Sequence, residues 1–158
     1  MRATARAAYQ SVMTAFDPAR FTRLDHYGHG GRLGIRYHAK ADQWVELALP
    51  YAADQVGDPA TGILASGPIV TLMDMATSMA VWTRRGVFAP HATLDLRVDY
   101  LRPATPGETV IGRGECYRLA RSVAFVRGIA YHTDPDDPIA HVAGTFMLMD
   151  ASAKGAAA

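Results

Sequence analysis

The chain has 158 residues, 49% of them hydrophobic and 20% charged, which is enough for one compact core and too short for two ordinary domains. Sixteen Lys and Arg against fifteen Asp and Glu leave a formal net charge of +1; no broad basic face for nucleic-acid phosphates is expected, and an anionic ligand has to be met locally. The single cysteine, Cys116, excludes an internal disulfide, and no apolar run approaches the roughly 20 residues of a membrane-spanning helix, so the expectation is a cytoplasmic chain without nucleic-acid or membrane partners.

At the N-terminus, Tyr9, Val12, Met13 and Phe16 fall on one helical face, and the segment lacks the uninterrupted apolar stretch and cleavage site of a signal peptide. A short amphipathic helix and a glycine-rich loop are predicted for residues 1–32. Two runs, about 33–39 and 43–50, are separated by Ala-Lys-Ala-Asp and read as a hairpin. The segment Tyr51 to Thr61 carries Gly57-Asp58-Pro59, a loop signature. The longest helical candidate follows at about 67–84, with Pro68 in its first turn, where a missing N–H costs nothing.

From residue 88 the period drops to two. Leu94, Leu96, Val98 and Tyr100 are expected on the buried face of a strand, with Thr93, Asp95, Arg97 and Asp99 on the other. Strands at 109–119, 122–132 and 139–149 complete the set, the first with Gly112 and Gly114 allowing close backbone approach. Asp134-Pro-Asp-Asp-Pro138 breaks the last pair as a solvated turn. Apolar residues surround the central helix: Ile69, Leu72, Met73, Ala76 and Ala80 form one stripe, and Met75, Met79 and Trp82 cover much of the rest, so the helix has to be wrapped. The predicted fold is therefore α+β of the hotdog type, five or six antiparallel strands curled round one helix over residues 33–150. A disordered tail is expected at 151–158.

Within that helix Asp74 is the exception, with Thr71, Thr77 and Ser78 beside it at helical spacing. Two readings stay open on the residues alone. The carboxylate is either satisfied by neighbouring hydroxyls or exposed at a gap, or it is a general base or nucleophile strengthened by partial desolvation.

The run Gly62-Ile-Leu-Ala-Ser-Gly-Pro-Ile-Val-Thr-Leu-Met-Asp74, followed by Thr93-Leu-Asp-Leu-Arg-Val-Asp-Tyr-Leu-Arg-Pro-Ala104 and a Gly-Arg-Gly-Glu-Cys strand, resembles the PaaI-like hotdog acyl-CoA thioesterases over about residues 30–149. The resemblance implies a cofactor-free hydrolase, CoA being part of its substrate, acting as a homodimer or a dimer of dimers. In such an enzyme the helix acid of one subunit acts on a thioester carbonyl held at the helix N-terminus of another. Asp74 matches the acid, Thr93 a hydroxyl that helps place the water, and Ala65, Ser66 and Gly67 the family's His-Gly-Gly. A backbone N–H of Ser66 or Gly67 could still serve as oxyanion donor, helped by the partial positive charge of a helix N-terminus. Two departures stand out: Ala65 replaces the motif histidine, and the Asn that some members carry falls near Asp58-Pro59. They keep open an alternative, a non-catalytic acyl-CoA-binding hotdog protein.

Four arginines, Arg102, Arg113, Arg118 and Arg121, lie at expected strand ends and turns, and the forks of Arg118 and Arg121 are the candidates for nucleotide phosphates. Ala65 and Ser78 are expected to line the substrate site. No metal site is expected: His26 and His29 sit in the glycine-rich loop without a ligand cluster. His91 precedes the Thr93 strand and could line the pocket, with a loop residue as the default reading, and Cys116 reads as a small core residue with no base beside it. No Gly-x-Ser-x-Gly elbow exists for a serine hydrolase.

Overall fold

The computed structural model describes residues 16–21 and 28–149. Of the N-terminal helix and loop expected over residues 1–32, residues 1–15 and 22–27 fall outside them, and so does the tail at 151–158. In chain order the elements are α1 (Pro18–Phe21), α2 (Gly28–Arg32), β1 (Arg36–Lys40), β2 (Trp44–Leu49), a 3-10 turn (Ala53–Gln55), β3 (Val56–Asp58), β4 (Ile63–Leu64), α3 (Ser66–Arg85), β5 (His91–Tyr100), β6 (Val110–Leu119), β7 (Val123–Tyr131) and β8 (Ala140–Leu148).

Six strands form one antiparallel sheet in the order β1-β2-β6-β7-β8-β5. The 20-residue α3, about 30 Å long, lies across β2, β6 and β7 and meets β5 only along its flank. This is the hotdog arrangement that the helix's encircling apolar residues require: Ile69, Leu72, Met73, Ala76, Met79, Ala80 and Val81 are all buried. Gly86, in the left-handed region at φ 66°, ends the helix where a side chain would be strained.

Helix and sheet approach so closely because β6 offers no side chains at the crossing. A Cβ on Gly114 would sit 2.4 Å from the carbonyl oxygen of Ala76, and one on Gly112 2.7 Å from Leu72 Cγ. On the outer face of the sheet, buried Glu46 is matched by Arg113, whose Nη2 lies 2.7 Å away, and by the Tyr131 hydroxyl. Burial, then the Glu46 carboxylate, pushes the Tyr131 phenol up to about 12.

Three local readings are corrected. The glycine-rich stretch is not loop throughout: Gly28–Arg32 is a helical turn, seated where buried Gly30 would place a Cβ 2.4 Å from Met75 Sδ. The segment 51–61 is not simply a loop: it holds the 3-10 turn and half of the β3-β4 hairpin, with the Asp58 carboxylate bonded to Ala60 N–H and Thr61 Oγ1. Finally, β5 does not alternate without fault. Its register against β8 shifts between Thr93 and Asp95, and this bulge changes the parity of the strand. Thr93, opposite buried Phe146, faces α3 with Leu96 and Val98, whereas Leu94, expected inside, is 56% exposed.

The two kinds of close approach predict different costs. Gly114→Ala meets helix backbone and should destabilise the protein by about 3 kcal/mol or more, while Gly30→Ala meets the mobile end of a methionine and should cost about 1 kcal/mol. Urea unfolding of the two variants checks the order.

Candidate active site

The flank of α3 that meets β5 carries the polar residues of an otherwise apolar helix. Asp74 is half-buried, and its Oδ1 accepts a hydrogen bond from Thr93 Oγ1 at 2.8 Å. Among the described residues its Oδ2 has no hydrogen-bond partner. The hydroxyls beside it on the helix do not satisfy it. Thr77, expected in the polar strip, is wholly buried and bonds the carbonyls of Met73 and Asp74, and Thr71 bonds Gly67 O. The acid is thus held from the neighbouring strand, and only because the bulge turns Thr93 inward.

One turn further along, Ser78 Oγ lies 2.7 Å from His91 Nε2. His91 is not a loop residue: it opens β5, its ring tilted against Trp82 at 4.6 Å and edge-on to Phe146 at 5.1 Å. Burial, reinforced by the charge of Arg85, lowers its pKa to about 4, so the ring is neutral near pH 7. The sequence offered no signal for this pairing, since a histidine after Ala-Pro reads as loop until the strand start is known. Met73 and Met79 are fully buried core residues, and Trp82 packs against Phe16, Phe88 and His91.

At its N-terminus α3 has no side-chain cap. The Ala65 N–H is taken by Gln55 O at 2.9 Å, and Pro68 has no N–H, which leaves those of Ser66 and Gly67. Space in front of Gly67 is open: a Cβ there would meet nothing within 4 Å. Beside this end is a cleft of about 300 Å³, walled by Ile63, Ser66, Ile69, Tyr100, Leu101 and Arg102.

Gly67 and Asp74 are seven residues apart on one helix, about 10 Å along its axis. First-turn N–H groups point out of the helix end, away from a carboxylate on the flank. Base and donor on one helix therefore face different directions.

The arginines divide into two pairs. Arg102 forks onto Asp137, with contacts of 3.2 and 2.8 Å, and also bonds Asp137 O; Arg113 is committed to Glu46. Arg118 and Arg121 are exposed and have no carboxylate partner among the described residues, Arg118 lying 6.0 Å over the Phe125 ring. Both lie near the C-terminal end of α3, where Arg84 bonds Cys116 O, far from Ser66 in the same protomer. Cys116 is buried, which pushes its thiol up and away from the reactive thiolate. Among the described residues no three His, Cys, Asp or Glu side chains gather as a metal site, and no helix is long and apolar enough to cross a membrane.

A six-stranded antiparallel sheet wrapped on one long helix is the hotdog fold of thioesterases. The family model of the thioesterase superfamily matches residues 61–139, and the chain belongs to that superfamily as a thioester hydrolase. It is 27% identical over 136 residues to the medium/long-chain acyl-CoA thioesterase YigI of Escherichia coli, covering 78% of this chain and 86% of that one. A crystal structure of a Pseudomonas aeruginosa protein matches at 40% identity and a TM-score of 0.74, over 84% of this chain and 96% of the other. A variant of the phenylacetic acid degradation protein PaaI from Thermus thermophilus matches at 27% identity and TM-score 0.65, over 76% and 97%. The expected likeness to PaaI-type enzymes is borne out.

The sign of the His91 shift predicts a pH effect on folding. A histidine whose folded pKa lies below its unfolded value of about 6.5 leaves stability intact above that value and removes it as pH falls toward 4. The melting temperature should therefore drop more steeply between pH 6.5 and 4 in the wild type than in His91→Gln, as followed by circular dichroism.

Proposed function

We propose that the protein hydrolyses acyl-CoA thioesters to the free acid and CoA, with Asp74 as general base. The observation that carries this reading is the Asp74 carboxylate, held by Thr93 through Oδ1 with Oδ2 left over for a water. In the proposed reaction the water oxygen adds to the thioester carbonyl carbon while Asp74 takes its proton. The carbonyl electrons move to an oxyanion held by the Ser66 or Gly67 N–H of a second copy. The tetrahedral intermediate collapses, the C–S bond breaks, and the thiolate leaves with the proton returned from Asp74. Water is the only co-reactant, so no separate cofactor enters. Direct nucleophilic attack by Asp74 on the carbonyl is the variant of this chemistry that the same carboxylate allows.

A shared site is supported by the different directions in which donor and base point on one helix, and by the position of β5 at the edge of the sheet. Pairing two β5 edges about a two-fold axis sets the two helices antiparallel. The donor end of one then approaches the acid of the other, and Arg118 and Arg121, which have no carboxylate partner among the described residues, approach the partner's cleft. The name of the Escherichia coli relative supports acyl-CoA as the substrate, and guanidinium forks suit its phosphates.

Asp74→Asn keeps volume and most hydrogen bonding but removes basicity. It should leave the fold intact and lower kcat/KM for an acyl-CoA by about 10²- to 10⁴-fold; retention of more than about a third would make Asp74 structural. Added to that variant, Thr93→Ala should cost far less than it does alone, because the two groups act as a unit. Sedimentation should find a dimer or larger species, and a monomer that turns over would remove the shared site. Replacing Arg118 and Arg121 by Ala should raise KM with kcat nearly unchanged.

A further inference from the structure

Tyr100 is the last residue of β5, and past the bulge it shares the inward parity of Leu96 and Val98. Its hydroxyl donates to the carbonyl oxygen of Ser66 at 3.2 Å. The Ser66 carbonyl and the Gly67 N–H are two ends of one planar trans peptide unit, so holding the oxygen fixes the direction of the N–H. A hydrogen bond accepted by the carbonyl also polarises the amide and makes its N–H a stronger donor.

We infer that Tyr100 is a positioning residue of the thioesterase reaction, aiming and polarising the Gly67 N–H as oxyanion donor through the Ser66 carbonyl. The inference rests on the proposed acyl-CoA hydrolysis and deepens it. The neighbouring N–H groups narrow the choice: that of Ala65 is consumed by Gln55 O, residue 68 is proline, and the Ser66 N–H belongs to a different peptide plane. Because the bulge sits between Thr93 and Asp95, one strand holds both halves of the machinery, Thr93 on the acid and Tyr100 on the donor. Partial burial raises the Tyr100 pKa, so the hydroxyl keeps its proton at neutral pH. The ring also lines the cleft beside the helix end, which makes a direct substrate contact the competing role.

Tyr100→Phe removes the hydroxyl and keeps the ring. The expected result is a fall in kcat of about three- to tenfold, with KM within about twofold and the melting temperature lowered by no more than about 4 °C, the cost of one ordinary hydrogen bond. In ¹H–¹⁵N spectra the Gly67 amide resonance should shift in the variant, because its peptide carbonyl has lost a donor. An unchanged kcat, a rise in KM at constant kcat, or an unmoved Gly67 resonance would each overturn the inference. Wild-type enzyme and Asp74→Asn run alongside separate the two claims. A wild type inactive on acyl-CoA defeats the proposed function and leaves the Gly67 resonance to decide the role of Tyr100; an active wild type matched by Tyr100→Phe defeats this inference alone.

Discussion

The fold depends on how near α3 lies to the sheet. Gly114 and Gly112 leave the crossing on β6 without side chains, so the helix backbone rests against the strand and its apolar residues fill the space to either side. A helix held this deeply over β2, β6 and β7 is hidden from water on most of its circumference. What remains is the flank facing β5, and the polar residues of the helix collect there. Position on the sheet, more than local sequence, thereby decides where a carboxylate can survive on an apolar helix.

That flank is joined to β5 by three polar links: Tyr100 to the Ser66 carbonyl, Thr93 to Asp74, and Ser78 with His91. Each joins a group on or near the helix surface to an inward-facing residue of one strand, and the bulge lets all three face the same way. Without it, a strand with Leu96, Val98 and Tyr100 inward would turn Thr93 and His91 outward. Chemically the links differ. The first acts on a backbone dipole, the second leaves a carboxylate oxygen available, and the third holds a neutral imidazole in an aromatic enclosure.

The arginines follow the same separation of structure from chemistry. Arg102 ties the end of the Asp-Tyr-Leu-Arg-Pro-Ala run to the turn between β7 and β8, and Arg113 neutralises a buried glutamate. Each has its fork filled by a carboxylate in exchange for its desolvation. Arg118 and Arg121 have no carboxylate partner among the described residues, and Arg118 lies over the Phe125 ring instead.

By itself the sequence determined the antiparallel sheet, the wrapped helix at about 67–84 and Asp74 as the anomalous residue on it, because hydrophobic period and the cost of a carboxylate on an apolar helix are local properties. The Thr93-to-Ala104 run was legible too, as a motif rather than as geometry. Tertiary structure alone decided which way its residues face, since a bulge is a relation between β5 and β8 and leaves no mark in the alternation of one strand. It also decided that Thr77 serves the helix backbone, that His91 is enclosed beside Ser78, and that Tyr100 reaches Ser66. These contacts join residues 13 to 34 positions apart or depend on burial, and a pattern read along the chain carries no information about which distant partner arrives.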